Sequence, residues 1–303
     1  MKKIILTTIG IIVIPYLIVT FFIADDEVKF SFKKDQMIRI KQSNGTILTI
    51  PFEEYTTGVL AGEMPVSFEL EALKAQAVAA RSYALVKIKN NTNNMYDVVD
   101  TVMNQVYLDE PTLKQKWGND YLNKMNKIKK AIVETKGEYM DYQGNIVEAF
   151  FFSTSTGQTE NVEEVFSEKL PYLRSVDSSF DKEVSPVFED SVTYTFDEFC
   201  TKLAIEKINP LQIQIEATTS TGRIKKIKIN QKSFTGQEIA NRLTLRSSYF
   251  SITQNGENVV IATKGYGHGV GMSQYGAEAL AKKGYTYDQI LKHYYTDIEI
   301  KKI

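Results

Sequence analysis

The 303-residue chain predicts an α+β fold: a mixed core domain with an inserted smaller α+β subdomain, preceded by one transmembrane helix. Three observations lead to this. Ile4 to Ile23 is an uncharged, mostly apolar run, about the length that spans a bilayer as a helix. Residues 51–90 combine helix punctuation with helical apolar spacing. Residues 191–262 switch to short alternating segments broken by turn residues, between two helix-rich stretches. The expected division is therefore 1–24 as cytoplasmic start and anchor, 28–190 plus 263–303 as core, and 191–262 as the insert.

The anchor comes first. Lys2 and Lys3 precede it, and Asp25, Asp26 and Glu27 follow it. This charge bias leaves the N-terminus in the cytoplasm and the remainder outside, as a single-pass protein of the cell membrane. The alternative is a cleaved signal peptide, which has a shorter apolar region ending at a small-x-small site. Phe22-Ile23-Ala24 is a poor one.

Next, alternating residues on both sides of Asn44-Gly45 predict a hairpin with a type I′ turn. Pro51 suits the first turn of a helix that buries Phe52, Tyr55 and Val59, and Gly62 and Pro65 end it. A second helix is expected from an N-cap at Ser67, with a small-residue stripe of Leu73, Ala77, Ala80 and Ala84. Glu63 then lies in a joint between two helices. Residues 95–111 read as irregular, 120–135 as helix stopped by Gly137, and 138–152 as a hairpin around Gln143-Gly144-Asn145. The polar loop STSTGQTE follows. In the insert, a strand and a helix from Asp197 precede two hairpins separated by a short helix. GYGHGVGMSQYGAEALAKKG and an amphipathic helix, TYDQILKHYY, close the core.

Composition narrows the function classes. A net charge of −1 gives no polyanion footprint, so nucleic acid is not an expected partner. A single cysteine, Cys200, excludes an intramolecular disulfide. Cys200, His268 and His293 are too scattered for an ordinary zinc site.

Several residues are candidates for chemistry. Glu63, flanked by Leu60, Met64 and Pro65, suits a partly desolvated carboxyl that keeps its proton near neutral pH, as a general acid requires. The residues alone fit a solvated or helix-capping glutamate better, since structural causes also perturb carboxylates. Lys74 and Arg81 lie two turns apart, where Arg81 could pair with Glu63 or grip a carboxylate; both also fit ordinary snorkelling side chains. Ser153, Ser155, Thr159 and Glu160 offer hydrogen-bonding groups that turns use as well. GYGHGVG lacks the Gly-Lys-Ser/Thr ending of a phosphate loop, and its His268 has the look of an exposed loop residue. No Gly-x-Ser-x-Gly elbow is present to seed a serine triad.

In this order, YTTGVLAGEMP, ALKAQAVAARSYAL, FFSTSTGQTE and GYGHGVGMSQYGA resemble the stage II sporulation protein D family. The resemblance spans nearly all of the chain outside the insert. It implies a peptidoglycan lytic transglycosylase of endospore formation, acting in engulfment at the mother-cell septal membrane. Glu63 falls on the family's catalytic glutamate. Lys74, Gln76, Arg81 and Ser82, the loop residues Ser153, Ser155, Thr159 and Glu160, and His268 and Gln274 are implied as substrate-binding. The implied substrate is a glycan strand stripped of stem peptides, cut between N-acetylmuramic acid and N-acetylglucosamine to leave a 1,6-anhydro sugar. Stage II sporulation proteins P and M are the implied partners, and no cofactor is expected. Some clostridial relatives bind zinc in the segment that here reads YDVVDTVMNQVY. Val98, Val99, Met103 and Asn104 are not normal zinc ligands, so no metal site is expected. Relatives described as amidase enhancers keep a non-catalytic, wall-binding scaffold open as the alternative.

Overall fold

The computed structural model describes residues 36–92, 95–101 and 104–303. It is a mixed α+β architecture. Strands β1 (Met37–Lys41) and β2 (Ile47–Pro51) form an antiparallel hairpin whose alternation turns Ile38 and Ile40 into the core. The link is a five-residue loop rather than a type I′ turn. Of its central pair only Gly45 takes a positive φ, 86°, and Gln42 spans the loop with bonds to Thr46 and Gly45.

Helix α1 (Phe52–Glu63) starts directly after Pro51. Gly62 does not stop it, as the sequence suggested, but lies inside its last turn. The glycine is needed for another reason: a Cβ there would stand 2.6 Å from the carbonyl oxygen of Val106. Helix α2 (Leu70–Lys89) begins later than Ser67 predicts. Residues 65–68 close a tight turn, Phe68 N–H to Pro65 O at 3.0 Å. The end of α2 is capped across the fold instead, by Glu278 Oε2 accepting the Glu69 N–H at 2.6 Å.

An unbroken run from Ala72 to Val86 along α2 is almost wholly buried, so it is the central helix rather than one with a single inward stripe. Its alanines let neighbours approach closely. Strand β3 (Val98–Val99) adds in parallel to β1. Helix α3 (Glu110–Trp117), absent from the sequence reading, is announced by Asp109, whose carboxylate accepts the Thr112 N–H at 2.9 Å, and by Pro111 in the first turn. Helix α4 (Tyr121–Glu134) and the hairpin of β4 (Glu138–Tyr142) and β5 (Asn145–Ile146) follow, with positive φ at Gln143 and Gly144 in its turn. After β6 (Phe151–Phe152) come two single-turn helices, α5 (Val162–Val165) and α6 (Asp181–Val184).

From Glu189 to Lys264 the chain builds a second hydrophobic core. Strand β7 (Glu189–Thr195) leads into α7 (Phe196–Leu203), then β8 (Ile213–Thr218), β9 (Ile224–Ile229), β10 (Lys232–Thr235), α8 (Gly236–Arg242), β11 (Phe250–Asn255) and β12 (Asn258–Lys264). Two three-stranded sheets, ordered β10-β9-β8 and β11-β12-β7, enclose Phe199, Ile227, Ile239, Val259 and Ile261. Both helices start with a threonine capping box, Thr195 with Glu198 and Thr235 with Glu238. The chain then returns to the first core as β13 (Met272–Ser273), α9 (Gln274–Lys282), α10 (Tyr287–Tyr294) and β14 (Glu299–Lys302), the last pairing with β4.

The membrane-spanning expectation for Ile4–Ile23 falls outside the described residues. Among the described residues no helix is long and apolar enough to cross a membrane, and this corrects the single-pass localisation drawn from the sequence. The longest described helix, α2, carries Glu71, Lys74, Arg81, Lys87 and Lys89 and packs at the centre of the core.

Candidate active site

The site forms where the end of α1 meets two segments distant in sequence. Strand β13 runs parallel to β6, pairing Met272 with Phe151 and Ser273 with Phe152. Tyr266 and Thr154 exchange backbone bonds of 2.8 and 3.0 Å just beyond. The glycine-rich ribbon explains this contact. A Cβ on Gly271 would lie 2.0 Å from the Phe150 carbonyl oxygen, and φ at Gly271 is +79°. GYGHGVG is thus a packing ribbon that needs glycine for close approach, not an anion loop. Gln274 opens α9 and donates its side-chain amide to the backbone carbonyl of Glu63 at 3.1 Å, which ties the ribbon to α1.

These segments enclose a cavity of about 540 Å³. Its lining includes Glu63, Tyr83, Asn104, Val106, Phe150, Ser153, Phe166, Tyr266, His268 and Gln274. Among these described residues Glu63 is the one carboxylate, and no lysine or arginine lines the space. Burial pushes the Glu63 carboxyl above its ordinary range, and a hydrogen bond from the Val106 N–H opposes that shift. The bond is 2.6 Å, to Oε1. Tyr83 is placed by its hydroxyl, which accepts from the Asn104 amide at 3.1 Å, and by Phe150, whose ring meets it edge-on with centroids 6.1 Å apart.

His268 is half-buried rather than loop-exposed. The rings of Phe150, Phe152 and Phe166 surround it at centroid distances of 6.1, 5.6 and 5.5 Å. Its Nδ1 accepts the Val270 N–H at 3.1 Å. Burial, with the Arg223 charge adding to it and a backbone bond at Phe151 opposing it, lowers its pKa to about 4. The ring is therefore neutral at physiological pH.

Of the sequence candidates, Glu63, Ser153, His268 and Gln274 share the cavity. The others lie elsewhere, for identifiable reasons. Arg81 is fully buried, and its Nε and Nη2 both reach Oε2 of Glu53, at 3.2 and 2.9 Å, rather than Glu63. With Nη1 on the Glu138 carbonyl at 3.1 Å, it joins α2, α1 and β4. Lys74 is held by Glu71 and Glu134 at 2.7 and 2.5 Å. Ser82 donates to Val78 O and accepts the Met140 N–H, both at 2.8 Å. Gln76 is buried on α2 with neither side-chain atom hydrogen-bonded. Ser155 donates to Ser178 O and Thr159 to Arg174 O, at 3.0 and 3.2 Å. Glu160 pairs with Arg223 at 3.0 Å. Each sits on an inward face, so its polar group is satisfied within the fold or sealed in it.

Sequence reasoning missed the aromatic lining, Tyr83, Phe150, Phe166 and Tyr266. The run Phe150-Phe151-Phe152 was the available signal, because three consecutive aromatic residues cannot all face one core across a strand.

A family model described as stage II sporulation protein matches residues 41–142. Stage II sporulation protein D of Bacillus amyloliquefaciens is 42% identical over 267 residues, 86% of this chain and 77% of that protein. The chain belongs to the stage II sporulation protein D family. The protein of the same name from Bacillus subtilis strain 168 is 40% identical over 269 residues, 86% of this chain and 78% of its own length. A third relative, named amidase enhancer, from the same strain, is 31% identical over 294 residues, 78% of this chain and 39% of that protein. The matched span 41–142 holds the Glu63, Tyr83, Asn104 and Val106 side of the cavity. The aromatic and glycine-ribbon side lies beyond it.

Proposed function

We propose that this chain is a peptidoglycan lytic transglycosylase of the sporulation programme, with Glu63 as its single acid and base. The observation that carries the reading is Glu63 itself: a partly desolvated carboxyl, the one carboxylate among the described residues of a large aromatic cavity. Its raised pKa keeps a proton for the oxygen joining N-acetylmuramic acid to N-acetylglucosamine. Protonation lets that C1–O bond break through an oxocarbenium-like state. The glutamate, now ionised and steadied by the Val106 N–H, takes the proton of the muramic acid C6 hydroxyl. Its oxygen bonds to C1, closing the 1,6-anhydro ring and returning the proton to Glu63. No water is consumed, so a second carboxylate to orient one is not needed. Tyr83, Phe150, Phe166 and Tyr266 offer apolar faces for pyranose rings, and Ser153, Gln274 and neutral His268 offer polar edges. Engulfment, with sporulation proteins P and M as partners, belongs to the same proposal.

The test is mass spectrometry of products from glycan strands stripped of stem peptides. Wild type should release peptide-free oligosaccharides ending in 1,6-anhydro-N-acetylmuramic acid and Glu63→Gln should not. Release by the variant would rule out this role for Glu63, and reducing-end muramic acid would indicate a hydrolase.

The similarity to a protein named amidase enhancer supports a second reading, a wall-binding scaffold. Binding of glycan without release by either protein would favour it.

A further inference from the structure

The unit built by Glu189–Lys264 does not hang free of the cavity. Its β8–β9 turn reaches the glycine ribbon. Arg223, 2% exposed, donates through Nε to Glu160 Oε1 at 3.0 Å and through Nη1 to the Gly267 carbonyl at 2.8 Å. The Glu160 N–H in turn donates to the Gly269 carbonyl at 2.8 Å. The guanidinium lies against the backbone of Gly269, where a Cβ would come within 2.7 Å of Nη2. The Gly267–Gly269 segment is thus wrapped round the arginine, and His268 is its middle residue.

The same turn grips the other side of the aromatic cage. Thr221 donates its hydroxyl to Glu160. Ser220 donates to Glu164 from N–H and hydroxyl at 2.7 and 2.6 Å. Glu164 lies in α5, two residues before Phe166, which packs on His268.

We propose that Arg223 is a positioning residue for the cavity: clamped to Glu160, it fixes the Gly267–Gly269 backbone and so the place of the His268 ring. Fold stability alone is a poor reason for such a pair. A buried ion pair seldom outweighs its desolvation, and here Nη2 of Arg223 and Oε2 of Glu160 have no hydrogen-bond partner. What the pair supplies is geometry. Arginine's rigid fork meets a carboxylate and a carbonyl at once, which lysine cannot do.

The test uses the full chain and its two histidines, His268 and His293, whose imidazole resonances are assigned with a His293→Gln control. Two variants are compared: Arg223→Lys, which keeps the charge but loses the fork, and the paired Arg223→Met with Glu160→Met, which removes both charges. Both should fold, with unfolding midpoints near wild type. In both, the His268 resonances should move from their wild-type positions, and binding of a β-1,4-linked N-acetylglucosamine tetramer should weaken about tenfold, or about 1.4 kcal/mol. Wild-type His268 resonances in either folded variant would overturn the proposal. So would an unchanged tetramer affinity, and so would failure of both to fold, which would make the pair a folding requirement. The imidazole signal needs no cleavage, so its outcome is separate from that of the Glu63 mechanism. If wild type does not bind the tetramer, the glycan reading fails and the His268 resonances alone decide this one.

Discussion

Glu63 and Val106 meet through a 2.6 Å hydrogen bond, the backbone N–H of one to the carboxylate of the other, 43 residues apart in sequence. Gly62 makes the approach possible, since a side chain there would run into the Val106 carbonyl. This bond helps tie α1 to the 104–108 segment, and it opposes the burial that raises the pKa of the candidate acid.

Gly62→Ala should disturb that setting. The added methyl has to displace Val106, at an overpacking cost of about 1–3 kcal/mol. The lengthened bond stabilises the carboxylate less, so the Glu63 pKa should rise further. The alkaline limb of any cleavage-rate profile should move to higher pH while denaturant midpoints fall. A profile identical to wild type in a destabilised variant would show that Val106 does not tune Glu63.

Glu63→Gln should stabilise the protein at neutral pH. Folding raises this carboxyl's pKa, so the stability tied to its protonated form is complete below the ordinary carboxylate range. It is lost as pH rises through the raised value. The amide removes that loss and still accepts from Val106. Calorimetry should find a higher midpoint than wild type near pH 7, with the two converging near pH 4.

His268 should titrate in the opposite sense. Its folded pKa is about 4, against an ordinary 6.5. The stability tied to the neutral ring is present above 6.5 and lost as pH falls toward about 4. Its NMR signals should stay those of neutral imidazole from about pH 8 to about pH 5. His268→Gln should flatten the acid limb of the stability curve. Titration of His268 near 6.5 would show that the cage does not desolvate it.

Arg81→Met should cost about 3–5 kcal/mol, because it leaves the buried Glu53 carboxylate without its cation. Pairing it with Glu53→Gln should recover much of the loss. Neither change touches the cavity lining, so cleavage per folded molecule should hold. Lost cleavage at full folding would return Arg81 to the site.

The sequence by itself determined most of the elements and the candidate acid. Alternation set the β1–β2 hairpin, and alanine spacing marked α2. Four ordered motifs led to the family and to Glu63 as the candidate acid. The motif residues divided only in three dimensions. Helix α2 is buried on all sides, which turned Arg81, Ser82 and Gln76 inward although they sit in a motif beside Glu63. The alternating glycines at 265–271 carry no chemistry of their own. They let β13 lie on β6, and that contact brings His268, Phe150 and Gln274 to Glu63. Local spacing decides which face of a helix is apolar. It does not decide how many neighbours cover that helix, nor which distant segment a glycine admits, because both depend on packing between parts of the chain that only the tertiary fold brings together.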